Sequence, residues 1–294
     1  MKKFQFKRSF GWKILYFLST VIVILTVAGF LGRFWWVLDM VCHFRVQYFW
    51  VLIFFTIVFT FRKKWGACIL VSIFALVNAA TFIPYITIVK PTHVDLPKIR
   101  AVSINLDSIR NSSYEKAVSF ISQSQPQLLI LVDLSERWED ELRETLAKFP
   151  YFVRLKYADA YSVEEDFMEP FRGVLKKHKV CLGLFSKLPF ESTKLGQVET
   201  YPTPYVMAQF KFNKKPFSLF GAHLMIPAGS VLSKVRNKQI RVLTQKIQSI
   251  NQPTVLLGDL NITPWSTFFI NFIQKTGLKE TRKEFGISPT WPTG

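Results

Sequence analysis

The chain has 294 residues, of which 49% are hydrophobic, and its mean hydropathy is +0.20. This composition is more apolar than that of an ordinary soluble domain, so it indicates membrane spans.

The net charge of +18 is divided unevenly along the chain. Residues 1–100 have 13 Lys and Arg against 2 Asp and Glu, which gives +11, and residues 101–294 have 25 against 18, which gives +7. The later part of the chain is only mildly basic, which gives little support to a nucleic-acid-binding surface.

Three apolar runs in residues 1–90 have the length of a bilayer core and carry their charges at the ends. We predict spans at Gly11–Leu31, Val46–Phe61 and Trp65–Val89, the second preceded by the amphipathic stretch "WWVLDMVCHFR". A cleaved signal peptide has a shorter apolar core and is not followed by further apolar runs, so the pattern favours true spans.

Basic residues precede the first span and separate the second span from the third, and the positive-inside rule places both segments in the cytoplasm. Only Arg33 and Arg45 lie between the first two spans, so that loop faces outward and everything after Val89 is delivered to the outside. We therefore predict an integral protein of the plasma or inner membrane with a cytoplasmic N-terminus and an extracytoplasmic large domain. The basic residues are Lys2, Lys3, Lys7, Arg8, Lys13, Arg62, Lys63 and Lys64.

The predicted domains are a membrane segment at 1–90, a proline-containing linker at 91–99 and an α/β domain at 100–294. Strand-like runs such as "IRAVSINL", "QLLILVDL" and "PTVLLGDL" alternate with helical ones, among them "SYEKAVSFISQS", "ERWEDELRETLAKF" and a helix at about Val231–Ser249. Ser112 or Ser113 is the expected cap of the first of these helices, and a last helix is expected near Trp265–Thr276. The three cysteines show no paired spacing, so we expect neither a disulfide framework nor a zinc site.

Polar residues stand where several of these strands end: Asn105, Asp133, His223, Asp259 and Asn261. Each of them alone is an ordinary turn former, but together, at successive strand ends, they predict a site. Oxygen ligands such as Asp133 and Asn105 suit Mg²⁺, whereas Asp259 suits the orientation or deprotonation of a water and Asn261 and His223 suit donation to phosphoryl oxygens. Asp259 and Asn261 are two apart, as expected for residues on one face of a strand.

Other polar and aromatic residues have simpler interpretations. The basic turn at Lys176, Lys177, His178 and Lys179 is most simply a solvated hairpin, and His43 and His93 are most simply ordinary polar contacts. Trp265 and Trp291 are interpreted as core residues. Arg236 and Asn237 have two equal interpretations: support for the loop that carries His223, or an exposed face of an amphipathic helix.

The segments "SINLD", "PQLLILVDLSERW", "LFSKLPF", "FGAHLMIP", "VRNKQIRVL", "LLGDLNITPWS" and "GLKETRKEFGISPTWP" occur in an order that resembles the endonuclease/exonuclease/phosphatase superfamily. The N-terminal run "HFRVQYFWVLIFF" and the third span resemble its membrane-anchored bacterial branch. The resemblance implies a four-layer α/β sandwich of two mixed sheets flanked by helices, as in DNase I, here preceded by three transmembrane helices. It also implies Mg²⁺- or Mn²⁺-dependent cleavage of phosphoesters, with Asn105 and Asp133 near the metal and His223, Asp259 and Asn261 around the phosphate.

The chain departs from the superfamily pattern in two places. Where the family usually has a metal-binding Glu, this chain has Asp133, which is one methylene shorter, and Glu136 is a poor substitute. The family pattern also continues beyond "TWP" into an IDH-like strand and an SDH-like motif, which do not occur before Gly294. We expect their loss to remove a partner of the general base and to expose a sheet edge.

The sequence therefore supports a membrane-anchored phosphoesterase that acts on a phosphodiester or phosphomonoester, with lipid or headgroup substrates fitting the predicted location best. A non-catalytic membrane protein that keeps the fold as a binding module is the first alternative, and a surface nuclease is the second. Protein partners cannot be inferred, because function does not follow from fold alone.

Overall fold

The computed structural model describes residues 2–86, 97–157, 179–196 and 204–283, with the backbone alone for residues 2–10. The chain divides into two compact units. One comprises Met1–His93 together with Ile262–Gly294, and the other comprises Val94–Asn261. Most of the predicted linker lies outside the described residues. The same is true of five residues interpreted in the sequence analysis: His93, Lys176, Lys177, His178 and Trp291.

The first unit begins with four helices: α1 (Lys2–Ala28), α2 (Trp36–Cys42), α3 (Arg45–Phe61) and α4 (Trp65–Ile86), with a 3₁₀ turn at Gly29–Leu31 after α1. Two segments, Gly11–Leu31 and Trp65–Ile86, are long and apolar enough to cross a membrane, with mean hydropathies of 2.5 and 2.2. The pair α2 and α3 is bent by 64° and counts as a third if it is one broken span. The three predicted spans thus correspond to two or three candidate helices.

A buried polar cluster joins three of these helices. The guanidinium of Arg45 in α3 donates to the backbone oxygen of Thr26 in α1 at 2.8 Å and to Oδ1 of Asn78 in α4 at 3.4 Å. Asn78 in turn donates to Oγ1 of Thr26 at 2.9 Å, and the guanidinium stacks on the ring of Phe30. Interhelical hydrogen bonds of this kind hold apolar helices in register.

The second unit contains two mixed four-stranded sheets. The first has the order β1-β2-β4-β3, formed by β1 (Ala101–Asn105), β2 (Leu128–Leu134), β3 (Tyr151–Lys156) and β4 (Cys181–Ser186). The second has the order β5-β6-β7-β8, formed by β5 (Ser192–Gly196), β6 (Tyr205–Phe212), β7 (Lys215–His223) and β8 (Thr254–Asp259). In each sheet one pair is parallel, β1 with β2 and β7 with β8, and the other pairs are antiparallel.

Strand β2 is apolar on both faces because one face packs on the second sheet and the other packs on helices. Leu128, Ile130 and Val132 pack in the core shared with the second sheet, while Leu129 and Leu131 pack against helices. Those helices are α5 (Tyr114–Ser124), α6 (Glu136–Glu141) and α7 (Arg143–Leu146), and a long helix, α8 (Ser230–Gln248), connects β7 to β8. The predicted architecture of two mixed sheets flanked by helices is confirmed.

Two details of the helices differ from the sequence prediction. The run "ERWEDELRETLAKF" forms two short helices separated at Leu142, whose side chain is fully buried. Ser113 occupies the N-cap position of α5, but its side chain accepts no capping hydrogen bond, whereas Ser135 accepts one from Trp138 at the start of α6.

The C-terminal segment groups with the N-terminal helices. Its helix α9 (Thr267–Thr276) is capped by Ser266, whose hydroxyl accepts from the backbone N–H of Phe268 and donates to the buried Asp39 of α2 at 2.6 Å. Nδ1 of His43 lies 2.7 Å from Oγ1 of Thr263. His43 therefore makes a polar contact, as its sequence context indicates.

Trp265 also belongs to this segment, and its indole packs edge-to-face on Tyr85. The boundary at residue 262 differs from the domain boundaries of the sequence analysis, 1–90 and 100–294, which stay predictions.

Candidate functional site

Four of the five predicted site residues come from the C-terminal ends of strands in both sheets. Asn105 ends β1 and Asp259 ends β8, and Nδ2 of Asn105 donates to Oδ2 of Asp259 at 2.8 Å across 154 residues of sequence. Asn105 also accepts the backbone N–H of Asp107 at 3.0 Å, which fixes its amide orientation. The chain therefore brings the Asp259 carboxylate and the Asn105 amide together where the two sheets meet, with the amide nitrogen facing the carboxylate.

The turn after β8 sets the second part of the site. Gly258 has φ +125°, and a Cβ there would lie 1.9 Å from the backbone oxygen of Ala222, so only glycine fits this approach of β8 to β7. Asp259 then accepts the backbone N–H of Asn261 at 2.8 Å through Oδ1. The backbone of Asn261 is in the left-handed conformation, with φ +48°.

This geometry corrects one expectation. Asp259 and Asn261 do not share one face of a strand, because β8 ends at Asp259 and Asn261 lies in the turn that follows. The carboxylate of Asp259 instead stabilises that turn, as Asp side chains commonly do. Nδ2 of Asn261 donates to the backbone oxygen of Leu224 at 2.7 Å and lies 3.4 Å from Nε2 of His223, so the turn is held against the end of β7.

Asp133 and His223 form the third part of the site. Oδ1 of Asp133 lies 3.2 Å from Nδ1 of His223, and the hydroxyl of Tyr157 lies 2.9 Å from the same nitrogen. Burial alone would raise the pKa of the Asp133 carboxyl, but His223 and the hydrogen bonds from His223 and Tyr157 outweigh it, so this pKa is lowered. Burial alone would lower the pKa of His223, but Asp133 and, more weakly, Asp259 raise it.

Arg236 lies on the buried face of α8, and its side chain has no solvent exposure. It donates through Nη1 to the backbone oxygen of Asn261 at 3.0 Å and through Nε to Oδ1 of Asn237 at 2.9 Å. The interpretation as an exposed helix face is therefore wrong for Arg236. It holds the turn after β8, while Gln239 on the same helix accepts the backbone N–H of Met225 beyond His223.

The donor types at the site suit a hard divalent cation. Asp259 offers a carboxylate, and Asn105 beside it carries an amide oxygen that accepts the backbone N–H of Asp107. Mg²⁺ commonly takes one or two carboxylates and completes its shell with waters and substrate oxygens. Among the described residues, no group of three or more His, Cys, Asp and Glu side chains is placed to hold a metal ion. Asp133 faces His223, and Glu136 is 61% exposed and paired with Lys179, so Glu136 lies outside the site.

Sequence reasoning missed Tyr157 and left two equal interpretations of Arg236. Tyr157 follows β3 directly and is 2% exposed, yet its hydroxyl reaches a residue 66 positions later. The only signal in the sequence was a tyrosine at the end of a strand, where a buried hydroxyl needs a partner.

The sequence model of the Endonuclease/Exonuclease/phosphatase family matches residues 102–294, about two thirds of the chain. The chain belongs to this family. No curated protein matches it.

The solved structures that resemble part of the chain include three proteins of low sequence identity. TDP2 of D. rerio, humanised by 14 mutations, is 16% identical over 62% of this chain and 68% of its own, with a TM-score of 0.44. A variant of Staphylococcus aureus beta toxin with bound magnesium ions is 16% identical over 63% and 72%, with a TM-score of 0.45. Sphingomyelinase C from Streptomyces griseocarneus is 13% identical over the same shares, also with a TM-score of 0.45.

Proposed function

We propose that this protein is a membrane-anchored, divalent-metal-dependent phosphoesterase that hydrolyses a phosphodiester or phosphomonoester. The observation that carries the proposal is the meeting of Asn105 and Asp259, from different sheets, beside a His223 that is held by Asp133. Membership of the endonuclease/exonuclease/phosphatase family supports the reaction class.

Each side chain has a role that its contacts allow. Asn105 and Asp259 would hold Mg²⁺ or Mn²⁺, and the bound ion supplies neutralisation of the charge that develops on the phosphoryl oxygens. The Asp259 carboxylate orients the attacking water and accepts its proton. A phosphoryl oxygen within hydrogen-bonding distance of both Nδ2 of Asn261 and a protonated Nε2 of His223, two atoms 3.4 Å apart, accepts a hydrogen bond from each.

The proposed substrate class rests on the proposed membrane anchor. The apolar helices α1 and α4 carry many exposed hydrophobic side chains, among them Phe17, Ile24 and Leu76, and a lipid environment satisfies such surfaces. An enzyme tethered in this way meets phospholipid headgroups at a high local concentration. We therefore favour a lipid or headgroup phosphoester over DNA or RNA, and the charge of +7 on residues 101–294 agrees with that preference.

The test uses the full chain in lipid nanodiscs with Mg²⁺ or Mn²⁺. Three substrates are compared at low salt: a chromogenic phosphodiester, phosphatidylcholine–phosphatidylglycerol vesicles, and single- and double-stranded DNA. We expect turnover of the first two, at least a hundredfold loss in Asp259→Asn, and wild-type rates in Asp140→Asn, whose carboxylate is exposed and paired with Arg143.

Each other outcome selects another function. Cleavage of DNA alone, with a steep dependence on salt, identifies a nuclease. Absence of both turnover and metal binding identifies a binding module.

The orientation in the membrane is a second part of the proposal. The turn between α3 and α4 carries three basic residues, Arg62, Lys63 and Lys64, which favour a cytoplasmic position for it. Two of them, Arg62 and Lys64, lie over the indole of Trp12 in α1, so this end of the helices is both basic and aromatic. The large domain after α4 is then extracytoplasmic. We expect alkaline phosphatase fused after Arg100 to be active and the same reporter fused after Lys64 to be inactive, and the reverse result contradicts this orientation.

A further inference from the structure

Asp133 occupies an irregular position in β2. The pairing of β2 with β4 changes register between Leu131 and Leu134, which marks a β-bulge, and Asp133 has a left-handed φ of +56°. Leu134 packs in the same cluster against the helices as Leu129 and Leu131. The extra residue of the bulge is therefore Asp133. Bulges of this kind redirect a side chain, and a left-handed backbone in a residue other than glycine persists only where its surroundings require it.

The redirected carboxylate joins a network with His223 and Tyr157. Its Oδ1 lies 3.2 Å from Nδ1 of His223, and the Tyr157 hydroxyl lies 2.9 Å from that nitrogen. The hydroxyl also accepts the backbone N–H of Asp133 at 3.3 Å, so the bulge itself is tied to the tyrosine. Tyr157 is almost wholly buried in the core between the sheets, which leaves its hydroxyl little freedom to move.

This network determines which nitrogen of His223 faces the phosphate side. Because the ionised carboxylate of Asp133 can only accept, Nδ1 beside it carries a proton. The other nitrogen, Nε2, then faces the Asn261 amide. A partner on one imidazole nitrogen commonly fixes the protonation and direction of the other.

We propose that Asp133 and Tyr157 are positioning residues that hold His223 with Nε2 towards the phosphate, and that Asp133 is not a metal ligand. The inference deepens the proposed function, on which its kinetic part rests. It also accounts for Asp at the position where the family resemblance implies a metal-binding Glu. From a bulged residue the shorter side chain reaches His223, and one added methylene would push its carboxylate past the Nδ1 contact.

The first experiment separates positioning from metal binding. Mn²⁺ affinity of the full chain in nanodiscs is measured by electron paramagnetic resonance for the wild type, Asp133→Asn, Asp133→Glu and Asp259→Asn. We expect both Asp133 variants to bind Mn²⁺ within twofold of the wild type and Asp259→Asn to lose at least tenfold. A tenfold loss in Asp133→Asn, or tighter binding in Asp133→Glu, overturns the inference.

The second experiment observes the imidazole directly and needs neither turnover nor metal. The chain has only 4 histidines, so ¹⁵N-histidine labelling gives few signals, and His223→Gln assigns the relevant pair. We expect Nδ1 of His223 to be protonated in the wild type and its shift to change in Tyr157→Phe, which removes only the hydroxyl. Tyr151→Phe, an exposed tyrosine on the adjoining strand β3, should change nothing. Unchanged His223 signals in Tyr157→Phe overturn the inference.

Kinetics provide the third measurement. In Tyr157→Phe and Asp133→Glu we expect kcat to fall at least tenfold with KM within twofold, because a misaligned donor weakens the transition state more than substrate binding. A change in KM alone contradicts the positioning role. If the wild type shows no turnover, the proposed function fails, while the ¹⁵N shifts still decide whether Asp133 and Tyr157 hold His223.

Discussion

The carboxylate of Asp133 lies 3.2 Å from Nδ1 of His223, and this contact joins the end of β2 in one sheet to the end of β7 in the other. The two side chains are only 25% and 19% exposed, so solvent screens their attraction incompletely. The pair therefore contributes to stability as well as to the site.

The pH dependence of stability follows from the two pKa shifts. The pKa of Asp133 is lowered from 3.8, so its contribution is present above that pH and is lost as the pH falls through the lowered pKa. The pKa of His223 is raised from 6.5, so its contribution is full below that pH and is lost as the pH rises through the raised pKa. We expect the melting temperature of the wild type in EDTA to exceed that of His223→Gln most between these two ordinary values, and less in alkaline buffer. A difference that grows at alkaline pH contradicts the pairing.

Gly258→Ala should disrupt the end of β8. The new Cβ would lie 1.9 Å from the Ala222 backbone oxygen at a φ of +125°, so strain and overlap combine. Gly229→Ala is the matched control, because Gly229 also has a positive φ, +96°, but nothing lies within 4 Å of its Cβ position. We expect Gly258→Ala to weaken β7 and β8 by at least about 2 kcal/mol more than the control does, measured by amide hydrogen exchange of those strands. Equal protection in the two variants rules this out.

Arg236→Lys should impair activity through the turn after β8. A lysine keeps the charge but cannot reproduce both the bond to Asn261 and the bond to Asn237 that the guanidinium makes. We expect a loss of about 1–3 kcal/mol in stability and about tenfold or more in kcat. Arg241→Lys on the exposed face of the same helix should match the wild type. Wild-type kcat in Arg236→Lys would show that this turn needs no such support.

Ser266→Ala should loosen the C-terminal helix of the first unit. The Ser266 hydroxyl caps α9 and donates to the buried carboxylate of Asp39, so its removal eliminates two interactions at once. We expect faster hydrogen exchange in residues 267–276, corresponding to about 1–2 kcal/mol. The control is Thr267→Val, since the buried Oγ1 of Thr267 has no hydrogen-bond partner within the described residues. That variant should be neutral or stabilising, and similar exchange in both would exclude a capping role for Ser266.

The sequence predicts the layers of the domain better than it predicts the contacts within the site. Period-two and continuous apolar runs locate β2, β7 and β8. Asn105, His223 and Asp259 are found because polar residues stand at the ends of several successive strands. The contact between Asp133 and His223 depends on a bulge that no periodicity reveals. Its third member, Tyr157, reaches His223 across 66 residues, and pairings of that range depend on how the two sheets pack.

The helical unit shows the same limit. Hydropathy locates α1, α3 and α4, but it does not predict that residues 262–283 group with them. The contacts of that association include two polar pairs, Asp39 with Ser266 and His43 with Thr263, whose partners are more than 200 residues apart in the chain.

The site residues are divided between the two sheets, Asn105 and Asp133 on one and His223 and Asp259 on the other. Each sheet keeps its own backbone hydrogen bonds when the side chains between them lose their fixed packing, as happens in a molten globule. In such a state far-ultraviolet circular dichroism remains close to native, but the four side chains no longer converge. Catalytic function should therefore disappear on mild heating or acidification before secondary structure does, and an assay of turnover would report the docking of the two sheets more sensitively than spectroscopy of the backbone.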